Sequence, residues 1–336
     1  MKTGTWNEWL LNYSLYIILG VLIVGVVVVE PTFLSFYNLS NIMSQASTRG
    51  ILALGVAGMI VYTGTDLSAG RILGCCAAVS ASLLQSVTYS ARMYPSIVDP
   101  MPLLIPLVLS IMVAIFFCAI NAFGFAVLKM HPFIISLGTQ LIAYGALCLY
   151  IDSQAGGAQP IANLDPRYIY IVNGAFELSG VRIPFLVLYL AVCSGIMWII
   201  WNKTTLGKNM FAIGGNPEAA AVSGVNVTRN IFGVYTVAGV LYGIAAYLEA
   251  GRVQSVTTST GLNYDLDAIS GCVIGGVSFT GGVGTIPGIL LGVIILQVIN
   301  YSLYYLGINA YIQYIIKGLI IIIAVAIDLR KYINKK

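Results

Sequence analysis

The sequence predicts an all-α integral membrane protein of about ten transmembrane helices, and three observations carry that prediction. Mean hydropathy is +0.92, with sixteen basic and twelve acidic residues among 336, a composition that belongs in a bilayer and not in a soluble core. Apolar runs long enough to cross a hydrocarbon layer of about 30 Å recur along the chain. One polar island, 202–230, interrupts them.

Taken in order, the first span lies near 13–29. Only Lys2 stands before it, and Glu30-Pro31-Thr32-Phe33 follows where a signal peptide would carry a small-residue cleavage site, so it is expected to stay in the mature protein. The second and third spans, near 42–63 and 70–89, contain polar or glycine breaks. Spans near 102–128, 133–151 and 184–201 come next. Lone His131, in the turn Lys129-Met130-His131-Pro132, has no partner at metal spacing. Beyond the island the seventh span is near 229–250 and the eighth, again broken by glycine, near 266–280. The ninth, near 286–306, holds Pro287 in its first turn, where a missing N–H costs nothing. The tenth, near 311–329, precedes a basic tail.

Charge orients the chain. Lys203, Lys208 and Arg229 in the island and Arg330, Lys331, Lys335 and Lys336 in the tail are expected to stay cytoplasmic. Ten spans place both ends and the island on that side, and the loop holding Asp152, Asp165 and Glu177 outside. The net charge of +4 is thus an orientation signal, and no basic face for nucleic acid is present. Cys75, Cys76, Cys118, Cys148, Cys193 and Cys272 fall inside apolar spans without a CxxC pair and read as small hydrophobes.

No linker or charge run divides 1–336, so one transmembrane domain is expected. Asp66-Leu67-Ser68-Ala69 after the second span echoes Asp265-Leu266-Asp267-Ala268 after the seventh, five spans apart, as an inverted repeat requires. A competing echo sets Gly64 to Gly70 against Gly276 to Gly282. Small-residue stripes, Gly284-x-x-x-Gly288-x-x-x-Gly292, Gly271-x-x-x-Gly275 and Gly70-x-x-x-Gly74, suit either static helix packing or a surface that slides during gating.

Ionisable groups in apolar surroundings need a reason to be there. Arg49, Asp66, Arg71, Glu249, Arg252, Asp265, Asp267 and Lys317 are the candidates, and the spacing suggests pairs Asp66 with Arg71 and Glu249 with Arg252. Such pairs pin span ends, and for Asp66, in its Gly-rich break beside Ser68, a hinge or pathway role is equally open. Asn121, Gln140, Gln297 and Asn300 lie inside spans, either lining a weakly polar route for a neutral solute or hydrogen-bonding helix to helix. Neither GxxxxGK[ST], HExxH nor GxSxG occurs, which argues against an ATPase or hydrolase in this chain.

In the island, Asn216 suits a helix N-cap, Pro217 its first position and Glu218 the positive end of the dipole, followed by Ala219-Ala220-Ala221. This reads as a solvated connector or as a small-sided helix shown to a partner. Gly207-Lys208-Asn209 and Ala212-Ile213-Gly214-Gly215-Asn216-Pro217-Glu218-Ala219-Ala220 resemble the cytoplasmic coupling loop of ABC transporter permeases. Similar motifs are Gly64-Thr65-Asp66-Leu67-Ser68-Ala69-Gly70-Arg71, Glu249-Ala250-Gly251-Arg252, Leu266-Asp267-Ala268-Ile269, Gly275-Gly276-Val277-Ser278-Phe279, Gly281-Gly282-Val283-Gly284-Thr285 and Tyr314-Ile315-Ile316-Lys317-Gly318.

Together they resemble the monosaccharide (ribose/galactose-type) importer permease family, nearest its galactose/methyl-galactoside branch. The resemblance spans nearly the whole chain, least in the first thirty residues and in 152–184. It implies a type II ABC importer-like permease of the bacterial cytoplasmic membrane, passing galactose, methyl-galactoside or glucose by alternating access as a homodimer. The implied partners are two copies of an ATPase, which binds ATP and Mg, and an extracytoplasmic sugar-binding protein; this chain binds no cofactor or metal. Gly214, Gly215, Asn216, Pro217, Glu218, Ala219 and Ala220 are the implied coupling residues, and Ala220→Trp is expected to block docking. The implied pathway or gating residues are Asp66, Ser68, Asn121, Asp265, Asp267, Gln297 and Asn300. The competing classes are a permease for ribose or another monosaccharide and an ion-coupled secondary transporter with Asp66 as its acid.

Overall fold

The computed structural model describes residue 20 and residues 23–154, 156–178 and 181–333. Most of the first expected span, and the end of the basic tail, lie outside the described residues. A helical stretch at 23–29 and a 3-10 turn, Pro31–Leu34, lead into α1 (Phe36–Val61), α2 (Ala69–Leu83), α3 (Leu104–Ala126), α4 (Pro132–Asp152) and α5 (Pro166–Asn173). The antiparallel hairpin of β1 (Ala175–Leu178) and β2 (Val181–Pro184) follows. The remainder is α6 (Phe185–Lys203), α7 (Thr205–Gly215), α8 (Pro217–Val222), α9 (Val227–Val253), α10 (Tyr264–Ile274), α11 (Ile286–Tyr305) and α12 (Ala310–Ile333).

Local chemistry sets many of these boundaries. Asp165, Thr204, Asn216, Asn226 and Thr285 each accept a backbone N–H at the start of α5, α7, α8, α9 and α11, and proline occupies the first turn of α4, α5, α8 and α11. His131, read from sequence as an unpartnered turn residue, caps α4: its Nδ1 accepts from the Phe133 N–H at 3.3 Å.

Among the described residues five helices, α3, α4, α6, α9 and α11, are long and apolar enough to cross a membrane. Large apolar side chains such as Phe116, Leu141, Leu149, Val192 and Ile196 stand exposed on α3, α4 and α6, as lipid-facing surfaces require. The third and eighth expected spans prove shorter. At 1.5 Å per residue, α2 with 15 residues and α10 with 11 extend about 22 and 16 Å, against a layer of about 30 Å.

These half-helices organise the centre. Each follows a long helix of opposite direction, for α1 and α9 run antiparallel: Gly58 lies against Val234, Gly55 against Ala238 and Tyr242, and Thr48 against Glu249. After α1 the chain turns at Thr63 (φ 64°) and re-enters the bundle to start α2; after α9 it turns at Gln254 (φ 61°) and Asn263 (φ 63°) to start α10. The starts meet backbone to backbone, since a Cβ on Gly70 would stand 2.4 Å from the Gly261 carbonyl oxygen and one on Gly261 2.0 Å from that of Gly70. This is the geometry of the Asp66/Asp265 echo. Of the competing echo, the later segment instead lies against the end of α1 and the island, where Gly282 N–H donates to Val61 O at 3.0 Å.

Glycine does what the stripes in α10 and α11 imply. A Cβ on Gly275 would stand 2.3 Å from Gly288 O, one on Gly288 2.2 Å from Gly275 O, and one on Gly292 2.0 Å from Gly271 O, so the two helices touch through their backbones. Gly74 instead packs on the backbone of Thr260 in a loop, with the Leu147 side chain of α4 beside it. The six cysteines are unpaired, five buried and Cys148 half-buried.

Opposite the island, Ile161 pairs with Val256 and Gln85 with Leu164, tying the segment before α5 to the ends of α2 and α9, while β2 of the hairpin packs on α1. Here Arg167 hydrogen-bonds Asp165 at 2.7 Å and holds its carboxyl below the usual carboxylate range.

Candidate functional site

The residues singled out in the sequence separate into three places. At the α2 start, Asp66, Ser68 and Asn121 come together, all fully buried. Asp66 Oδ1 accepts from Ser68 N–H at 2.9 Å, from the Ser68 hydroxyl and weakly from Asn121 Nδ2 at 3.4 Å; Oδ2 accepts from the Tyr242 hydroxyl at 3.0 Å. Asn121 Nδ2 also donates to Ser68 Oγ at 2.8 Å. Four donors around one carboxylate, with no cation among them, make Asp66 a knot joining α2 to α3 and α9. The expected pair with Arg71 does not form, because Arg71 reaches the loop after α9 and α4 instead, donating to Thr258 O at 3.1 Å and stacking on Tyr144 at 4.2 Å. Asp66→Asn would set an amide N–H₂ against donors, and a buried unsatisfied donor costs about 1–3 kcal/mol. We expect lower thermal stability in detergent together with reduced uptake; an unchanged melting temperature would contradict the knot.

The second place is a charged network. Glu249, fully buried, accepts from Thr48 Oγ1 (2.7 Å), Tyr264 Oη (2.6 Å), Arg252 Nε (2.8 Å) and Arg252 Nη2 (2.6 Å). Asp267 bridges Arg49 (3.3 Å) and Lys317 (3.1 Å), and Arg49 lies over the Tyr264 ring at 4.5 Å. The Glu249–Arg252 pair thus forms as the spacing suggests, in the last turns of α9, and there it is part of a network joining α1, α9, α10 and α12. Asp265, 5% exposed, lies beside Gly70, where the two half-helices meet.

The third place was not found from sequence. Tyr37, Ser40, Asn41, Ser44 and Gln45 of α1 line a cavity of about 390 Å³ opposite the island, closed on its other side by Asn173, Arg182, Pro184, Leu186, Arg252 and Gln254. Gln297 reaches it indirectly: its Nε2 donates to Gln45 Oε1 at 2.8 Å, while Gln297 Oε1 and Asn300 Oδ1 on the same face of α11 are buried with no partner among the described residues. The signal available was the spacing 37, 40, 41, 44, 45, one face of a helix.

In the island, Asn216 Oδ1 caps α8 through Ala219 N–H at 2.9 Å, with Pro217 and Glu218 in the first turn. Gly215, Asn216, Pro217, Glu218, Ala219 and Ala221 are exposed, and Val222 is 91% exposed. Two expected contact residues face inward: Ala220 is 5% exposed, and Gly214 packs so closely on Val61 that a Cβ would stand 2.0 Å from the Val61 carbonyl oxygen. Bulk at position 220 therefore strikes the chain's own core before any partner.

Residues 38–325 match the family model described as "Branched-chain amino acid transport system / permease component". The chain is 48% identical over 324 residues, 96% of its length and 95% of the relative's, to the galactose/methyl galactoside import permease protein of Haemophilus influenzae. It is 48% identical over 323 residues to the protein of that name in Escherichia coli K12, covering 96% of this chain and 95% of the relative. The ribose import permease protein of Bacillus subtilis is 34% identical over 313 residues, 93% of this chain and 91% of that one. No solved structure matches.

Proposed function

The chain belongs to the branched-chain amino acid transport system permease family and is a multi-pass membrane protein, a transport subunit and not a catalyst; on that premise we propose that it carries galactose and methyl galactosides inward as the membrane subunit of an ATP-driven importer. The observation that carries the choice of sugar is the graded identity, 48% to galactose/methyl galactoside permeases against 34% to a ribose permease, each over nearly the whole chain.

Energy comes from a partner ATPase, since this chain has no nucleotide-binding motif of its own, and sugar comes from an external binding protein. Two copies of the chain work with two of the ATPase. The island is the cytoplasmic coupling surface. Its support is α8, a capped helix that exposes Glu218 in its first turn, small alanines, and Val222, an apolar side chain 91% exposed on a polar loop that a partner would cover. With the island inside, α9 ends outside, as do the hairpin and the polar cavity. Asp66 is poorly placed as the acid of an ion-coupled carrier, for its carboxylate is enclosed on all sides by donors.

Cells lacking their own galactose permease, but holding its ATPase and binding protein, are expected to regain galactose uptake when this chain is expressed. That uptake should survive collapse of the proton gradient and stop on ATP depletion. Uptake that stops with the gradient while ATP is kept would overturn the proposal.

A further inference from the structure

We propose that the polar cavity opposite the island is a binding site for a neutral hexose entering the permease, with Asn41, Ser44, Gln45, Arg182 and Gln254 as its hydrogen-bonding wall and Tyr37 as its flat face. The inference rests on the transport reading above and adds the place where the sugar is first held.

A polar helix face needs an explanation in this chain, because α3, α4 and α6 turn apolar side chains outward. On α1 the face formed by Tyr37, Ser40, Asn41, Ser44 and Gln45 is polar for two turns and opens on a cavity instead of lipid. Its volume, about 390 Å³, falls in the range of small-molecule pockets, ~300–1,000 Å³.

The lining matches an uncharged polyol. Sugar hydroxyls both donate and accept, and the wall offers amides that do both, a serine hydroxyl and guanidinium donors. Of the lining side chains, Asn173 is engaged with Gly251 O at 2.8 Å and Arg252 with Glu249, and the Ser44 hydroxyl donates to Ser40 O at 2.9 Å, leaving its oxygen to accept. Asn41, Arg182 and Gln254, by contrast, make no side-chain hydrogen bond among the described residues. No carboxylate among the described residues lines the cavity, so a cationic solute would find no countercharge there. At its inner wall the Gln45–Gln297 bond (2.8 Å) leads to Gln297 Oε1 and Asn300 Oδ1, acceptors buried without partners. Such orphaned acceptors are costly unless something visits them. They continue the polar line from the cavity along α11 toward the middle of the bundle.

The test uses the whole complex, with ATPase and sugar-binding protein, in proteoliposomes. Asn41→Cys is treated from the binding-protein side with a positively charged methanethiosulfonate reagent, and Ser44→Cys is carried in parallel should the first variant not assemble. Modification is expected to lower galactose uptake by more than tenfold, and millimolar galactose without binding protein is expected to slow the modification. The same reagent should leave the unsubstituted protein active, since five of its six cysteines are buried. Gln254→Ala is expected to reduce uptake roughly fivefold to tenfold, the worth of about one net hydrogen bond, with ATP hydrolysis stimulated by the binding protein preserved. Modified Asn41→Cys and Ser44→Cys transporting at the unmodified rate, or galactose giving no protection, would overturn the site. Failure of the unsubstituted complex to take up galactose at all would instead overturn the transport reading on which the site rests.

Discussion

Glu249→Ala is expected to destabilise the protein by about 3–5 kcal/mol, the cost of breaking a buried ion pair from one side. The carboxylate is fully buried and holds donors from three helices, Thr48 on α1, Arg252 on α9 and Tyr264 on α10. Without it Arg49, Arg252 and Lys317 share one remaining carboxylate, Asp267, and the two arginine side chains are only 14% and 18% exposed. Thermal unfolding in detergent, read as the monodisperse fraction on size exclusion, measures the loss. Replacing Glu249 and Arg252 together by leucine should cost less than Glu249→Ala alone, because removing both partners leaves one fewer uncompensated charge. A Glu249→Ala protein as heat-stable as the parent would show that the network contributes nothing.

Ala221→Trp is expected to abolish the response of ATP hydrolysis to the sugar-binding protein while leaving insertion and thermal stability near those of the parent. Ala221 is exposed on α8, beside Val222, so the added ring enters the space a docked ATPase would occupy. Ala220→Trp should behave differently. Its side chain points into the chain, and overpacking there costs typically about 1–3 kcal/mol, so it unseats α8 and lowers stability before docking is tested. Normal stimulation in Ala221→Trp would remove α8 from the coupling surface.

Much of this could be read from sequence because it depends on local chemistry. The Asn216 cap, Pro217 and Glu218 define α8 within one turn, and the glycines of α10 and α11 announce a close helix pair by spacing alone. The Asp66/Asp265 echo pointed to an inverted arrangement that the antiparallel α1 and α9, each leading into a half-helix, provide.

Other features depend on contacts far apart in the chain. Arg49 finds Asp267 at a separation of 218 residues and Glu249 finds Thr48 at 201, so neighbour spacing could not supply the first pair or the extent of the network. Spacing also suggested Asp66 with Arg71, but Tyr242 and Asn121 reach the carboxylate instead. A six-residue helix is too short for its periodicity to tell inward Ala220 from outward Ala221. Hydropathy placed the start of the second span at 42, within the polar turns of α1 that line the cavity and after Tyr37, Ser40 and Asn41, because a search for apolar runs passes over the polar first turns of a helix.

The most direct measurement is galactose accumulation in proteoliposomes assembled from this chain, its ATPase and its sugar-binding protein, with ATP and Mg on the ATPase side. Accumulation that requires all three proteins and ATP, persists with the proton gradient dissipated and is faster for galactose than for ribose is the predicted result. Accumulation without ATP, or none for galactose under conditions where ribose is taken up, would contradict the account.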